Sequence, residues 1–272
     1  LSREEVVAID GKTSRRSGKA GATPLHLVSA FAAQAGVVLG QRATAAKSNE
    51  KTAIPELLTT LALEGCIVTI DAMGTQPNIA QAIRDRGADY VLAVKDNQPT
   101  LAESIEDFVS AFDAAPERTP HRFHEVVEKD HGRLEVRRCH VFDQLDCLHA
   151  PERWPDLKSF AMITSERTIG GKTSVERRFY LSSLAPDAER MNRAVRQHWR
   201  VENSLHWCMD VVFRDDQART RTDHAAHNLA VLRQLVLNLL RTAPVKRKGG
   251  LQVQRLIAAT SDSFRAQLLG LV

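Results

Sequence analysis

The 272-residue chain has only four cysteines, Cys66, Cys139, Cys147 and Cys208, and no C-x-x-C pair. That excludes the dense disulfide framework of a small secreted domain and makes reduced, cytosolic thiols the expectation. No stretch approaches the ~20 consecutive apolar residues of a membrane span. The charged start LSREEVVAID is unlike a signal peptide, so a soluble cytoplasmic protein without a membrane partner is expected. The chain begins at Leu1 rather than Met and runs almost at once into an apolar strand, so a preceding segment is also expected. Common catalytic fingerprints are missing. GGKTS at 170–174 and DGKTS at 10–14 look like the end of a P-loop, but its first glycine would fall on Glu166 or Val6. There is no GxSxG elbow, no GxGxxG fingerprint and no HExxH helix. Internal repeats are absent. Nor is the charge strongly one-sided: 37 Lys+Arg against 33 Asp+Glu give +4, which permits an anionic partner without demanding one.

What the chain does have is a regular succession of apolar runs. EEVVAID, LHLVSAFA and GVVLGQRAT read as three strands in an antiparallel meander. A helical segment, NEKTAIPELLTTLALEG, leads to the strand CIVTIDAMGT, and the pattern repeats as helix QPNIAQAIRDRG, strand ADYVLAVK and helix QPTLAESIEDFVSAF. Strands alternating with helices imply parallel pairing with crossover helices. The predicted fold is therefore α/β: a ribonuclease H-like mixed sheet flanked by helices. Residues 116–184 change texture to strand-like pieces separated by Pro, Gly and Asp, and read as a β-rich insertion before a further helix. Residues 1–115 and 185–242 are then the core. Residues 243–272 are expected to be a basic linker, PVKRKGG, and one C-terminal helix.

Three carboxylates stand out. Asp10 and Asp71 each end an almost wholly apolar strand run, VVAI and CIVTI. An acid at the edge of a core is costly unless something positive or hydrogen-bonding meets it. Each alone reads as a strand-end acid capping the next turn, and two of them in one sheet suggest more. Glu202 lies in VRQHWRVENSLHWCMD, which reads as a continuous helix. At ~100° per residue, Met191, Val195, His198, Leu205 and His206 fall on its side, and Arg193, Arg196 and Arg200 form a separate stripe. No Lys or Arg stands at i±4 to pair with Glu202. Two strand acids and one helix acid suit Mg2+ or Mn2+, which take oxygen ligands and serve phosphoryl chemistry in pairs. A zinc site on His198, Glu202 and His206 is the competing reading, but that ladder spans about 12 Å of helix rise, too far for one tetrahedral ion. Partly buried, hydrogen-bonded histidines, or a supporting role beside the metals, remain for the two imidazoles.

Three basic runs each adjoin one of these acids in sequence: Lys12, Arg15 and Arg16 in KTSRRSGK beside Asp10, and the stripe Arg193, Arg196 and Arg200 and then Arg214, Arg219 and Arg221 in FRDDQARTRTDH on either side of Glu202. Any one of these is ordinary solvated surface. Together they lie where a polyanion's phosphates would run. Trp199 and Trp207 either stack on bases or, more ordinarily, pack.

The motifs AIDGKT, TIDAMGTQ, YVLAVKDNQPTL and HWRVENSLHWCMDVVFRDDQARTR with AAHNLAVLRQLVLNLL resemble, in order and over about residues 6 to 241, the DDE transposases of bacterial insertion sequences, in the subfamily that includes the H-repeat-associated proteins. The resemblance implies a catalytic, metal-binding triad of Asp10, Asp71 and Glu202 holding two Mg2+ or Mn2+ ions. It implies cleavage of double-stranded DNA at element ends, joining of the freed 3′-hydroxyl to target DNA, a homodimer on DNA and a nucleoid-associated location. It adds Lys95 to the DNA-contact candidates. The wider family carries a Tyr, Arg, Glu, Lys signature around the third acid. Here Val195, His198 and Met209 occupy the Tyr, Arg and Lys places, with Asp210 beside the last. His198, Asn203 and Asp210 are therefore supporting candidates. Two rival readings are a nuclease of this fold without strand transfer and an inactive DNA-binding remnant of an element.

Overall fold

Strand β1 (Val6–Thr13) turns alternate side chains into two apolar layers, and the fold is built on that alternation. In the computed structural model, which describes residues 1–18, 23–44, 50–130, 132–244 and 248–271, Val7 and Ile9 are buried against α1 (Glu50–Thr59), α2 (Pro77–Arg84) and α3 (Pro99–Ala114). Val6 and Ala8 face the other layer, formed by α4 (Ala188–His198), a turn over Val201–His206, α5 (Trp207–Val211) and α6 (Ala225–Thr242). Each of the valines and the isoleucine contributes roughly 1.5–3 kcal/mol by leaving water. The even-numbered face of β1 continues as Asp10 and Lys12, with Ser14 just past its end, and therefore points at the α4–α6 layer.

β2 (His26–Ala32) pairs antiparallel with β1 and with β3 (Val37–Thr44). β4 (Ile67–Ile70) runs parallel to β1, and β5 (Asp89–Val94) parallel to β4. Parallel neighbours need crossovers, which α1 and α2 provide. These strands have the expected ribonuclease H-like order. β6 (Arg122–Asp130), β7 (Arg133–Phe142), β8 (Ser159–Ile169) and β9 (Lys172–Ser182) form an antiparallel meander. β9 returns to pair with β5, Val91 opposite Ser182. The β-rich insertion thus extends the core sheet, in the order β3-β2-β1-β4-β5-β9-β8-β7-β6. Its far half leaves the helical layers, and Val127, Ile169 and Val175 are exposed there.

The tail forms two helices rather than one, α7 (Leu251–Thr260) and α8 (Asp262–Leu268), because the Ser261 hydroxyl accepts the Phe264 N–H at 3.3 Å and restarts the chain as a new helix. Phe264 is buried, and Arg255 donates to the Val212 carbonyl, so the tail docks on the segment after α5. Residues 245–247 of the expected linker, and Lys19 of the basic loop, lie outside the described residues. Among the described residues no helix is long and apolar enough to cross a membrane.

Candidate active site

Parallel pairing brings the first two acids together. Ile9 of β1 lies opposite Ile70 of β4, so Asp10 and Asp71 follow side by side where the parallel pairing stops; Asp71 lies just past the end of β4, whereas Asp10, expected at a strand end, lies within β1, which stays paired with β2 as far as Thr13. Asp10 Oδ1 accepts the Gly11 N–H at 2.8 Å. Asp71 caps the short turn Ala72–Gly74 by accepting the Gly74 N–H at 3.3 Å. Both motifs need their glycine. A Cβ on Gly74 would strike the Ile70 side chain, and one on Gly11 would strike the Glu50 carboxylate and the His26 imidazole. The turn is held further by Thr75, whose hydroxyl donates to the Ala93 carbonyl at 2.6 Å and whose carbonyl accepts from Gln98 Nε2 at 3.0 Å. The motifs TIDAMGTQ and VKDNQPT thus converge on one corner.

The helix carrying the third acid is not continuous. α4 ends at His198, and Val201–His206 form a π-helical turn before α5, with the Trp207 N–H bonded to the Glu202 carbonyl five residues back. The wider turn separates the two histidines. His198 Nδ1 sits 2.9 Å from the Thr69 hydroxyl on β4, next to the Asp71 end. His206 Nδ1 lies 3.3 Å from Glu202 Oε2 and 3.5 Å from Asp10 Oδ2. An ionised Glu202 carboxylate only accepts, so His206 Nδ1 carries the proton toward Glu202, with Asp10 Oδ2 beside it. The six-residue turn therefore closes Asp10, Glu202 and His206 into one group.

Asp10, Asp71, Glu202, His198 and Lys95 line one cleft of about 480 Å³, completed by Arg178, Trp199 and Tyr180. Burial pushes the Asp10 carboxyl up to about 7, and the Glu202 and Asp71 charges add to the rise against the opposing pull of His206 and the Gly11 N–H. Glu202 is held below the usual range, first by its hydrogen bond from His206, despite partial burial, with a hydrogen bond from the Asp10 carboxyl and the Lys12 charge adding to this. Two carboxyl groups thus share one proton. Burial lowers His198 to about 4, although the Glu202 charge opposes this, so that imidazole is neutral at pH 7. Asp10, Glu202 and His206 each offer one ligand atom within 4.8 Å of the others, and His206 Nε2 is buried without a partner. The group suits a small divalent cation, which takes oxygen donors and would replace the shared proton.

The other sequence candidates divide. Asp210 does not face the acids: its Oδ2 accepts from Lys12 Nζ at 2.8 Å. With Asp215 and Asp216 it forms a second acidic group, compensated by Lys12, by Arg15 at 3.3 Å from Asp216, by the Ser14 hydroxyl at 2.6 Å from Asp215, and by Arg233. Asn203 is exposed and is not among the residues lining the cleft. The arginine stripe is partly consumed by ion pairs, Arg193 with Glu4 at 2.7 Å and Arg196 with Glu128 at 3.3 Å. Arg16, Arg200, Arg214, Arg219 and Arg221 are exposed, and Arg221 donates to the Arg16 carbonyl at 2.9 Å. Sequence reasoning did not single out the bridging place of His206. It also missed the buried chain Thr13, His26 and Glu50, with contacts of 2.7 and 2.6 Å. The i+4 spacing of His206 was a usable signal, but nothing in the sequence pairs His26 with Glu50.

Residues 1–239 match the protein family described as "Transposase DDE domain". The chain is 38% identical to the "H repeat-associated putative transposase YhhI" of Escherichia coli K12, over 98% of this chain and 71% of that protein. It is 39% identical to the "Putative transposase YncI" of Escherichia coli O157:H7, over 97% and 69%. Among solved structures, the cryo-EM structure of the piggyBac transposase synaptic complex with hairpin DNA is similar in fold, with a TM-score of 0.52 at 10% identity. The match covers 98% of this chain and about half, 54%, of that one.

Proposed function

The chain belongs to the DDE-domain transposases, in the group of the H-repeat-associated proteins, and from that premise we propose that it cuts double-stranded DNA at element ends and joins the freed 3′-hydroxyl to target DNA. The observation that carries this reading is the convergence of Asp10 within β1, Asp71 just past the parallel strand β4, and Glu202 on one helical turn, on a single cleft. Asp10 and Glu202 would hold Mg2+ or Mn2+ between them, with Asp71 as the third carboxylate and two ions in the complete site. When bound, the metal supplies the positive charge that neutralises the reacting phosphate and lowers the pKa of the attacking oxygen.

The protein's part is positioning and electrostatics. His206 aims the carboxylates of Asp10 and Glu202 by facing both with one nitrogen. The Gly11 N–H fixes the second Asp10 oxygen, and the Gly74 N–H fixes Asp71. His198, bonded to Thr69, ties α4 to the strand that ends in Asp71. Lys95 and Arg178 at the cleft wall give a phosphodiester cationic partners. In the first step water attacks phosphorus, the P–O3′ bond breaks, and the 3′-oxygen leaves as a hydroxyl after taking up a proton. In the second that 3′-hydroxyl attacks a target phosphate in line, displacing another 3′-oxygen. On this reading residues 1–115 and 185–242 are the catalytic core, 116–184 the insertion and 243–272 a linker and helical tail. The protein acts as a homodimer on DNA at the bacterial nucleoid.

Asp10→Asn, Asp71→Asn and Glu202→Gln test the proposal. Each is expected to lower Mg2+-dependent nicking and joining of element-end DNA by roughly 10³-fold or more while leaving the circular dichroism spectrum of the metal-free protein unchanged. Cleavage retained in all three variants overturns it, and cleavage without joined products in the unaltered protein marks a nuclease.

A further inference from the structure

The far half of the β6–β9 ribbon has two unlike faces. On the α3 side Arg138 stands between Glu125 at 2.7 Å and Glu166 at 2.6 Å, one cation to two acids. On the α4 side the balance is reversed. Glu135, with only 6% of its side chain exposed, meets Arg137 at 2.7 Å, Arg133 at 3.7 Å and Arg167 at 3.8 Å. Glu128 adds Arg137 at 3.5 Å and Arg196 of α4 at 3.3 Å. Four guanidiniums therefore surround these two carboxylates, and the other acids on this face are Asp130, opposite Arg133 in the β6–β7 register, and Glu176, paired with Arg178 at 2.8 Å.

Burial by itself would raise the Glu135 carboxyl, but the hydrogen bond from Arg137 and the charges of Arg137, Arg167 and Arg196 outweigh it and hold it low. Glu135 is thus a fixed negative hub. Arg133, Arg167 and Arg196 stay 40%, 49% and 41% exposed, and at 3.7 and 3.8 Å from the hub the first two keep donors free for another acceptor. The face is continuous with the cleft, because Glu176 and Arg178 of β9 line both, and Arg178 lies 4.5 Å over the Trp199 ring. Pairing sets Arg167 level with Ser174, and Arg133, through Ile169, level with Lys172. These lie four and six residues along β9 from Arg178, or about 13 and 20 Å at ~3.3 Å per residue.

We propose that this face is a second phosphate-binding surface, on which Arg133, Arg167 and Arg196 grip the backbone of the DNA duplex about four to six base pairs from the reacting phosphate, at ~3.4 Å per pair. The proposal rests on the DNA-cutting reading above. The partner is a duplex rather than an acidic protein because the surface continues from a cleft built for a phosphodiester and offers planar, forked donors at phosphate-like spacing.

Binding of a 30-base-pair duplex of random sequence, followed by fluorescence anisotropy against salt, tests it. Arg133→Ala with Arg167→Ala should weaken binding at least tenfold near 0.1 M salt and flatten the slope of log K on log salt by about 2, at ~0.9 per phosphate contact. Arg133→Lys with Arg167→Lys should keep the slope. Both side chains reach solvent, Arg167 more than the half-buried Arg133, and circular dichroism checks that the variants fold. Hydroxyl-radical protection four to six base pairs from the nick should also vanish in the alanine pair. An unchanged slope and footprint, or lost binding to polyglutamate with DNA binding intact, overturns this surface and leaves the cutting reading standing. An unaltered protein that binds no duplex overturns both.

Discussion

Lys12 and Asp210, 198 residues apart in the chain, meet at 2.8 Å and bind the strand of the first acid to the segment that follows the third. The contact is one of a series. Residues 10 and 12 on one face of β1, and Ser14 just past its end, reach His206, Asp210 and Asp215 respectively. A period of two on the strand is matched to successive turns of the facing segment, so the pairings after residue 10 set the register that brings Glu202 to Asp10. Asp210 serves by placing Lys12, which lies near enough to Glu202 to help keep it ionised.

Breaking that pair should loosen the site without unfolding the protein. Lys12→Met leaves Asp210 and Asp216 without their shared cation, so it should cost more stability than the Lys12→Met, Asp210→Asn double variant costs beyond Asp210→Asn alone. With side chains 15% and 35% exposed, the coupling is expected at about 1 kcal/mol. Urea unfolding of the four proteins measures it, and strictly additive effects would show that the pair carries nothing.

His206 is the hinge of the acidic group. His206→Ala removes the donor shared by Asp10 and Glu202 and should weaken Mn2+ binding roughly 10- to 100-fold. His206→Asn places an amide donor near the lost Nδ1 and should recover part of that. Isothermal titration with MnCl2 reads both, and equal affinities in all three proteins would remove His206 from the site.

Much of this was legible in the chain, for physical reasons. Apolar strands alternating with helical stretches gave the first five strands and their helices, since each element had to bury a face. Asp10 and Asp71 were visible because an acid ending an apolar run is uncommon. What escaped was whatever depends on two distant segments meeting. The Arg193 and Arg196 stripe read as open surface because Glu4 and Glu128, its partners, lie far away in sequence. The π-helical turn escaped because the sequence pattern at 201–206 fits an ordinary helix equally well, and only contact with β1 favours the wider turn. The C-terminal segment divided at Ser261 for a local reason that was available: a serine followed by a helical stretch is a helix start.

The buried chain Thr13, His26 and Glu50 explains the glycine after Asp10. Gly11→Ala should cost about 1–3 kcal/mol by overpacking against the Glu50 and His26 side chains. In a Glu50→Ala background, where only the His26 imidazole still stands 2.7 Å from the new Cβ and has lost the partner that holds it there, the same substitution should cost less. Thermal denaturation of the two singles and the double decides this, and an equal cost of Gly11→Ala in both backgrounds would show that the Glu50 wall is not what demands glycine.

The pH dependence follows from Asp10. Its carboxyl titrates at about 7 in the metal-free fold against 3.8 ordinarily, because of burial and then the Glu202 and Asp71 charges, with His206 and the Gly11 N–H opposing. Below pH 4 folded and unfolded states both hold the proton. Between about 4 and 7 the unfolded chain releases it and the fold keeps it, so stability falls as pH rises, by at most ~1.4 kcal/mol per unit. Glu202 runs the other way. Its pKa is lowered, so its contribution is present above the ordinary glutamate value of 4.5 and is lost as pH falls below that, a window that does not overlap pH 5.5–7. A divalent ion must displace the Asp10 proton, so apparent affinity should drop about tenfold per unit below pH 7 and level off above it. At a fixed MnCl2 concentration the rise in melting temperature should therefore grow from pH 5.5 to about 7.5 and then flatten. Asp10→Asn should remove both the metal-free slope over pH 5.5–7 and the metal-dependent rise. A rise of the same size at every pH would mean that the ion binds without Asp10.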